Sequence, residues 1–473
     1  MKRIVALLMV VAFAGCLDDG NPSGEPAEEP LPPRAVQPED PIPVGAGHDH
    51  ADVSQHKFLW NYEATAYDNL LQNDVDTAGL HALDRAGDLL VGSTYGAHAI
   101  SVNGGITVWD ISDPEQPQQL GRFVVPGDVG GDRSVAVTQD GAYVVLGTET
   151  TSCAGHVNPL GAAINAFLFD IRDPTNIQVA DVLTVAGGRS AVADSPGSVH
   201  SVSVHHIHGD DYTVLFGDVY KIARTETGAS FESVGFDIPT SHDHYVRDTP
   251  WGDTWVLTTS APGLSVYNFT DPYNPVLIGT WEMDRLAPGA TTHYTHTADV
   301  AFLDGEIIMV VTAEDWEDHV SPMWVINATA LSTRPTEPVH LQTHGWWWNP
   351  SDVHADGLRF SLHNPRFSDD GIFTIASYHA GVWQLDLRRP DQWVEPEPIA
   401  YMVYAEGDPT DFKDPIQEAQ TCGFIQLPLD APTIFDVELG DGGVVYAADP
   451  WMGLYTFAPT ADHPVYGANA SDR

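Results

Sequence analysis

A short element that recurs along the chain restricts the fold more than any other feature. Each copy joins an apolar, β-forming segment to an Asp or Asn, which in four of the five copies is followed four residues later by Pro. The copies stand at intervals of 60, 98, 59 and 59 residues, and the 98-residue interval has room for two units. The chain is therefore built on a repeat of about 60 residues, marked by Asp110, Asp170, Asn268, Asn327 and Asp386.

A second recurring element gives the number of repeat units. It consists of a turn that contains Gly or Asp, followed by a run of β-forming residues, and it occurs seven times, at 86–96, 139–149, 209–218, 251–263, 303–315, 369–381 and 440–453. Asp-Gly and Gly-Asp turns between β-forming runs are typical of antiparallel hairpins. Seven units of about four short strands predict an all-β chain that folds as a seven-bladed β-propeller with four-stranded blades.

The two ends of the repeat region predict how the ring closes. The seventh unit offers three strands, at 434–439, 444–448 and 454–458, and little β-forming sequence follows them. An unassigned apolar segment, Phe58–Ala64, precedes the first unit. We expect this N-terminal strand to pair beside the third strand of the seventh unit, because closure removes exposed sheet edges. Truncation of residues 56–66 should then unfold or oligomerise the protein.

Two copies of the repeat resemble a known family. The segments VWDISDPEQPQQLG (108–121) and VYNFTDPYNPVLIG (266–279) are similar to the units of LVIVD-repeat β-propellers of the cell-surface lipoprotein type. Units of that family run from a glycine turn through a YV-type strand and a VVDVSDP-type strand to an outer LVG-type strand. The resemblance spans roughly residues 81–457 and implies a propeller, but most members have no assigned reaction and a fold does not supply one.

The N-terminus carries features of a targeting signal. Lys2 and Arg3 precede the apolar run Ile4–Ala14, and Phe13-Ala14-Gly15-Cys16 resembles a lipobox. We expect residues 1–16 to be a lipoprotein-type signal peptide with Cys16 lipidated, 17–47 a flexible acidic, Pro-rich tether, and 48–473 the propeller. This organisation predicts an extracytoplasmic protein whose contact with the membrane is a lipid anchor. The alternative is a secreted protein that is cleaved elsewhere.

The net charge restricts the classes of partner that the chain can bind, and the cysteine content bears on its cellular compartment. The chain has 66 acidic and 20 basic residues, a net charge of −46, which disfavours nucleic acid as a partner. Four lysines among so many acids give a composition similar to proteins of salt-loving archaea, although an ordinary acidic secreted protein is the alternative. Cys153 and Cys422 remain as a possible disulfide in an oxidising compartment, or as two separate thiols.

Loop lengths predict which face of the propeller functions. The hairpins between first and second strands and the Asp-Pro turns are short. The connections between second and third strands and between blades are long, at 94–104, 150–163, 313–322, 335–358 and 406–431. In a propeller these long connections share one face, here called the loop-rich face. Long loops on a rigid scaffold commonly carry function.

Histidines converge on the same face. His200, His244, His296 and His363 stand eight or nine residues before the turn glycines of their units, at the start of the inner strands. His81 opens the first inner strand. Neutral imidazoles from separate strands suit zinc, copper and iron. The candidate metal ligands are His200, His244, His296, His363, His98 and His379, the last two in loops between second and third strands, and Asp243, Asp299, Glu314, Asp315 and Asp352 could complete or orient the site.

Three interpretations of these histidines remain open. The first is a binding module that holds an unknown protein or small-molecule ligand on the histidine-lined face. The second is a metal-dependent copper or iron oxidoreductase with histidine ligands at the channel mouth, with its catalytic residues unassigned. In the third, the histidines only brace the inner strands.

The run Trp346-Trp347-Trp348 is expected in the connection between the fifth and sixth units, where it either stacks a flat ligand or packs the loop.

Overall fold

The structure is a computed structural model. It describes residues 58–68, 70, 78–96, 105–125, 134–148, 166–183, 199–215, 217–239, 242–260, 263–284, 294–314, 321–348, 361–403, 433–450 and 453–468. All of them belong to one unit, Arg34–Arg473. The candidate signal segment, tether and lipidation residue Cys16, together with Cys153, Cys422 and His98, lie outside these ranges.

The described strands form seven sheets. Two strands precede the first blade, β1 (Phe58–Trp60) and β2 (Tyr62–Asp68). Blade 1 consists of β3 (Ala78–Ala86), β4 (Leu89–Gly96), β5 (Gly105–Asp110) and β6 (Gln118–Val124). Blade 2 consists of β7 (Ser134–Val137), β8 (Tyr143–Gly147), β9 (Ala166–Asp170) and β10 (Gln178–Leu183). Blade 3 consists of β11 (Val202–Ile207), β12 (Asp210–Leu215), β13 (Asp218–Arg224) and β14 (Ala229–Asp237).

The remaining blades continue the same pattern. Blade 4 has β15 (Asp243–Asp248), β16 (Thr254–Ser260), β17 (Gly263–Asn268) and β18 (Val276–Glu282), with β22 (Val339–His340) added in parallel; blade 5 has β19 (Tyr294–Leu303), β20 (Glu306–Glu314), β21 (Pro322–Asn327) and β23 (Gln342–Trp348); blade 6 has β24 (Pro365–Phe367), β25 (Ile372–Ala376), β26 (Val382–Asp386) and β27 (Pro398–Val403); and blade 7 has β28 (Asp436–Leu439), β29 (Val445–Asp449) and β30 (Gly453–Pro459). Within the described ranges, helical structure is confined to the short 3-10 helices Thr329–Thr333, Pro390–Gln392 and Asp441–Gly443.

These sheets confirm the seven-bladed all-β propeller. In each blade the strands follow one another from the channel outwards as antiparallel neighbours. The recurring Asp or Asn is explained by its contacts, because its side chain accepts a hydrogen bond from the backbone N–H two residues later and caps the turn to the outer strand. This bond is present at Asp110, Asp170, Asn268, Asn327 and Asp386, at 2.8–3.1 Å.

A glycine in the outer strand is explained by close packing between blades. A Cβ placed on Gly121 of blade 1 would lie 2.0 Å from the carbonyl oxygen of Pro174, in the turn of blade 2. A Cβ on Gly345 of blade 5 would lie 2.0 Å from the carbonyl oxygen of Trp393, beside the corresponding turn of blade 6. The repeat therefore keeps glycine where the backbone of the next blade approaches.

The ring closes as predicted, with one difference. β2 pairs antiparallel with β30 and becomes the outer strand of blade 7. The preceding β1 pairs instead with β27 and adds a fifth strand to blade 6. Asn61 separates the two strands, with a φ of 63° and a side-chain amide that donates to the carbonyl of Ile399 at 2.6 Å. The left-handed conformation of Asn61 turns the chain from one blade to the next, so a single expected strand serves two blades.

The tryptophan run is part of a strand. Trp346, Trp347 and Trp348 lie in β23, the outer strand of blade 5, and pair with β21. The expectation of a connecting loop was wrong, because these side chains pack between sheets and leave Trp346 and Trp347 only 6% and 2% exposed. Their burial accounts for the run without a flat ligand.

Within the described ranges, no helix has the length and apolar character needed to cross a bilayer.

The C-terminal segment packs on the closing strand through His463. Its ring lies edge-on to Tyr62 of β2, with 5.1 Å between the ring centres. His463 Nδ1 accepts hydrogen bonds from the backbone N–H groups of Val465 and Tyr466, while Nε2 lies 3.0 Å from Gln384 Oε1. These contacts require a neutral ring with the proton on Nε2. Burial, and then the charge of Arg388, lower the pKa of His463 to about 4.

Acid should therefore destabilise the fold through His463. Between pH 6.5 and 4 the unfolded chain binds a proton at this position that the folded chain does not, so stability falls as the pH falls through this window. We expect the free energy of unfolding to lose up to about 1.4 kcal/mol per pH unit through this residue. In His463→Asn, an acceptor oxygen replaces Nδ1 and this component disappears, as urea unfolding at pH 4.5 and 7 can measure. The exposed His340→Asn serves as the control, and parallel pH curves for wild type and His463→Asn would contradict the assignment.

Candidate metal centre

Imidazoles from several blades surround one mouth of the central channel. His81 and His296 lie within the inner strands β3 and β19, while His200, His242 and His363 lie one or two residues before β11, β15 and β24. A cavity of about 60 Å³ lies between the inner strands, and His81, His200, His296 and His363 are among its lining residues. The blade architecture thus collects histidines that are far apart in the sequence.

Four of these rings form a continuous row. The ring centres are 4.2 Å apart for His200 and His242, 4.3 Å for His242 and His296, and 4.1 Å for His296 and His363. We call these four residues the imidazole row. Phe435 of blade 7 stacks on His363 at 4.9 Å and meets His81 edge-on at the same distance, which continues the ring around the channel.

A buried carboxylate stands at one end of the row. Glu314, the last residue of β20, is 4% exposed. Its two oxygens lie 3.5 Å from His296 Nε2 and 3.6 Å from His363 Nε2. The three residues, here called the inner set, bring ligand atoms within 4.8 Å of one another. A second group with the same property is His200, His242 and His296, here called the outer set.

Hydrogen bonds fix the orientation of both inner-set histidines. His363 Nδ1 donates to the backbone carbonyl of Phe435, which only accepts. His296 Nδ1 lies 2.6 Å from the Thr297 hydroxyl, whose single proton goes to Asp243 at 2.8 Å or to the amide oxygen of Asn364 at 3.0 Å. Each Nδ1 therefore carries a proton, and each ring turns its Nε2 towards Glu314. Metal-binding histidines are oriented by such partners.

The environment keeps the His296 ring neutral. Burial, followed by the neighbouring imidazoles of His363 and His242, holds the pKa of His296 well below its usual range. Neutral imidazole is the form that binds a metal ion. Two imidazole nitrogens and the two oxygens of one carboxylate face one another in a buried site, where a cation between them would offset the cost of burying the carboxylate.

Tyr378 holds Glu314 from the other side. Its hydroxyl donates a hydrogen bond to Glu314 Oε1. Tyr378 lies between β25 and β26 and has a φ of 33°, a conformation that costs a non-glycine residue about 1–3 kcal/mol. Such strained residues cluster at functional sites. The strain here is retained at the residue that orients the carboxylate.

His244 lines the same cavity as the other histidines, but both of its ring nitrogens are engaged in hydrogen bonds. Its Nδ1 donates to Ser201 Oγ at 2.6 Å, since that hydroxyl donates to Asp243, and its Nε2 accepts from the backbone N–H of Gly217 at 3.0 Å. Burial, only partly opposed by Asp243, lowers the pKa of His244 to about 4. Both nitrogens serve hydrogen bonds between blades, so we assign His244 a structural role.

His242 lies where the sequence placed His244. Counting back from the turn glycine selected His244, but the turn Thr249–Asp253 of blade 4 is longer than the turn at Gly209 in blade 3. Strand alternation gives the missing signal, because Val246 packs in the core between blades and His244, two residues earlier, shares that face. His242 precedes the strand and joins the row.

The other predicted residues fall in several places. His379 is fully buried in the turn between β25 and β26, beside Tyr378. Asp243 contacts Thr297 as described above. Asp299 belongs to a deeper layer, where it pairs with Arg247 at 3.0 Å. His98, Asp315 and Asp352 lie outside the described residues.

The deeper layer joins blades through carboxylates. Asp84 accepts a hydrogen bond from the backbone N–H of Val137 in blade 2 at 2.7 Å, and Asp436 accepts one from Leu83 in blade 1 at 2.8 Å. Burial raises the pKa of Asp84 to about 7 and that of Asp436 to about 6. This layer connects inner strands across blade boundaries and supports the channel beneath the imidazoles.

The chain shows structural similarity to known proteins at low sequence identity. No protein-family profile matches the chain, and no curated protein matches it significantly. Among solved structures the chain is similar to the WD40 β-propeller domain of Doa1, with a TM-score of 0.47 and 11% identity over 84% of this chain and 97% of that domain.

Proposed function

We propose that this chain is an extracytoplasmic, lipid-anchored binding module whose propeller holds a transition-metal ion at the channel mouth. The ion would be bound by His296, His363 and Glu314. The observation that carries the proposal is the approach of two oriented imidazole nitrogens to the oxygens of one buried carboxylate, at 3.5 and 3.6 Å. Small movements of the side chains would place each of these ligand atoms at roughly 2.0–2.2 Å from a central ion, the distance that zinc coordination requires.

The donor set favours particular ions. Imidazole nitrogen suits zinc, copper, iron and nickel, whereas calcium and magnesium prefer sites made of oxygen alone. The two groups of ligand atoms contain four imidazoles and one carboxylate. Copper(II) and zinc are therefore the first ions to test, since they stand at or near the top of the usual order of affinity.

Anchoring and family membership rest on the sequence. The basic residues, apolar run and lipobox-like Cys16 support a surface lipoprotein, and the repeat segments support an LVIVD-type propeller. The net charge of −46 also favours attraction of cations to the surface of the protein.

An oxidoreductase is the second candidate. The cavity of about 60 Å³ beside the imidazoles favours it, because a few small molecules the size of water fit next to the proposed ion. Turnover of an electron donor by copper- or iron-loaded protein, abolished in His296→Ala, would support this function. Stoichiometric binding without turnover supports the binding module.

Metal analysis tests the site directly. Protein dialysed against Zn(II) or Cu(II) should retain about one tightly bound ion per chain, and His296→Ala should lose it because both groups of ligands need His296. Bound ion should also raise the melting temperature of wild type, since a ligand specific for the folded state stabilises it.

The exposed His340→Ala is the matched control and should keep the ion. A wild-type protein that retains no ion, with a lower melting temperature in His296→Ala, would show instead that the histidines only brace the inner strands.

A further inference from the structure

The two groups of ligand atoms overlap in one residue. His296 belongs to the inner set with His363 and Glu314 and to the outer set with His200 and His242. Its Nδ1 is engaged by the Thr297 hydroxyl, so Nε2 is the atom that can bind an ion in either set. One lone pair binds one ion, and the two sets therefore exclude each other.

The sets differ in exposure. All three inner residues are buried, with His296, His363 and Glu314 each 3–4% exposed. His200 and His242 are partly exposed to solvent. An ion that arrives from solvent therefore meets His200 and His242 first, and the inner set lies behind them along the row.

The sets also differ in charge. The outer set has three imidazoles, whereas the inner set includes a carboxylate that Tyr378 holds in place. In a buried site the attraction between a dication and a carboxylate is much stronger than at the surface. The inner set should bind a dication more tightly, while the outer set should exchange it with solvent more readily.

We infer that the imidazole row is an entry route, in which His200 and His242 first capture the ion and His296 passes it to the inner set. The inference rests on the proposed metal site. The transfer is a ligand exchange at His296, in which the bonds to His200 and His242 break as those to His363 and Glu314 form. The spacing of 4.1–4.3 Å along the row allows this exchange through side-chain movements.

Rates of zinc uptake test the route. Stopped-flow mixing of apo-protein with Zn(II) and a chromophoric zinc chelator measures the association rate, and equilibrium competition measures the affinity. The double variant His200→Ala/His242→Ala should take up zinc at least about tenfold more slowly, a change within the range that association rates show among variants of one site. It should still bind one ion with an affinity close to that of wild type.

A second variant probes the other end of the row. His363→Ala/Glu314→Gln should keep rapid uptake but lose at least about 100-fold in affinity, more than removal of an orienting partner costs. His340→Ala should match wild type in both measurements.

Two results would overturn the route. The first is unchanged uptake in the His200→Ala/His242→Ala variant, and the second is a loss of affinity in that variant as large as in His363→Ala/Glu314→Gln. Failure of wild type to bind zinc would remove the metal site itself, which separates that outcome from failure of the route alone.

Discussion

Deletion of residues 58–66 is expected to abolish the folded monomer. The deletion removes the fifth strand of blade 6 and most of the outer strand of blade 7, and it exposes the edges of β27 and β30. It also removes Tyr62, which is 3% exposed in the core between blades 6 and 7. Unpaired edges invite pairing between chains. Light scattering after gel filtration should show aggregates or oligomers, and circular dichroism should show a lost or non-cooperative transition.

Single substitutions measure the same effect on a finer scale. Tyr62→Ala should lower the free energy of unfolding by about 3–5 kcal/mol through loss of a buried aromatic ring. Tyr62→Phe removes only the hydroxyl that donates to the Gly443 carbonyl at 2.7 Å, and should cost about 0.5–1.5 kcal/mol. Tyr273→Ala, at a residue 52% exposed, should change stability by less than about 0.5 kcal/mol. A monomeric deletion variant that unfolds cooperatively would refute the closure.

The blades could be predicted because their signals are local. Each turn needs glycine or an Asp or Asn cap within a few residues of its strands, and Asp110 and Asp386 perform this role as the repeat indicated. The division of the N-terminal strand could not be predicted. It depends on Asn61 adopting a left-handed conformation that is stabilised by Ile399, 338 positions away in the chain.

The candidate site could be predicted only in part. Spacing from turn glycines identified His200, His296 and His363, because each stands eight or nine residues before the turn glycine of its unit, although His296 lies within its inner strand and the other two lie just before theirs. The same count selected His244 over His242, since a longer turn changed the offset. The bonds of Tyr378 to Glu314 and of Phe435 to His363 join residues 64 and 72 positions apart, and no local pattern reports them.

Asp299 shows how a residue type that suits a metal site can serve the fold instead. It is 0% exposed and accepts hydrogen bonds from Arg247 Nε and Nη2, at 3.0 Å each. It also accepts bonds from the backbone N–H groups of Val300 and Phe367, at 2.7 Å each. Through Phe367 it joins blade 5 to blade 6. These four donors satisfy both carboxylate oxygens, and the position of Asp299 in the third dimension, rather than its spacing, sets its role.

Asp299→Ala should accordingly be among the most destabilising substitutions in the channel. It leaves Nε of Arg247 and two backbone donors without their acceptor, while Arg247 Nη2 keeps its bond to the Phe367 carbonyl at 3.0 Å. Removal of one partner of a buried ion pair costs about 3–5 kcal/mol. Urea unfolding followed by tryptophan fluorescence measures the loss. Asp299→Ala/Arg247→Met should recover part of it, because the unpaired charge is gone. Below its melting temperature, Asp299→Ala should still bind zinc, in contrast to His296→Ala. A loss of zinc with unchanged stability would place Asp299 among the metal ligands and reverse this assignment.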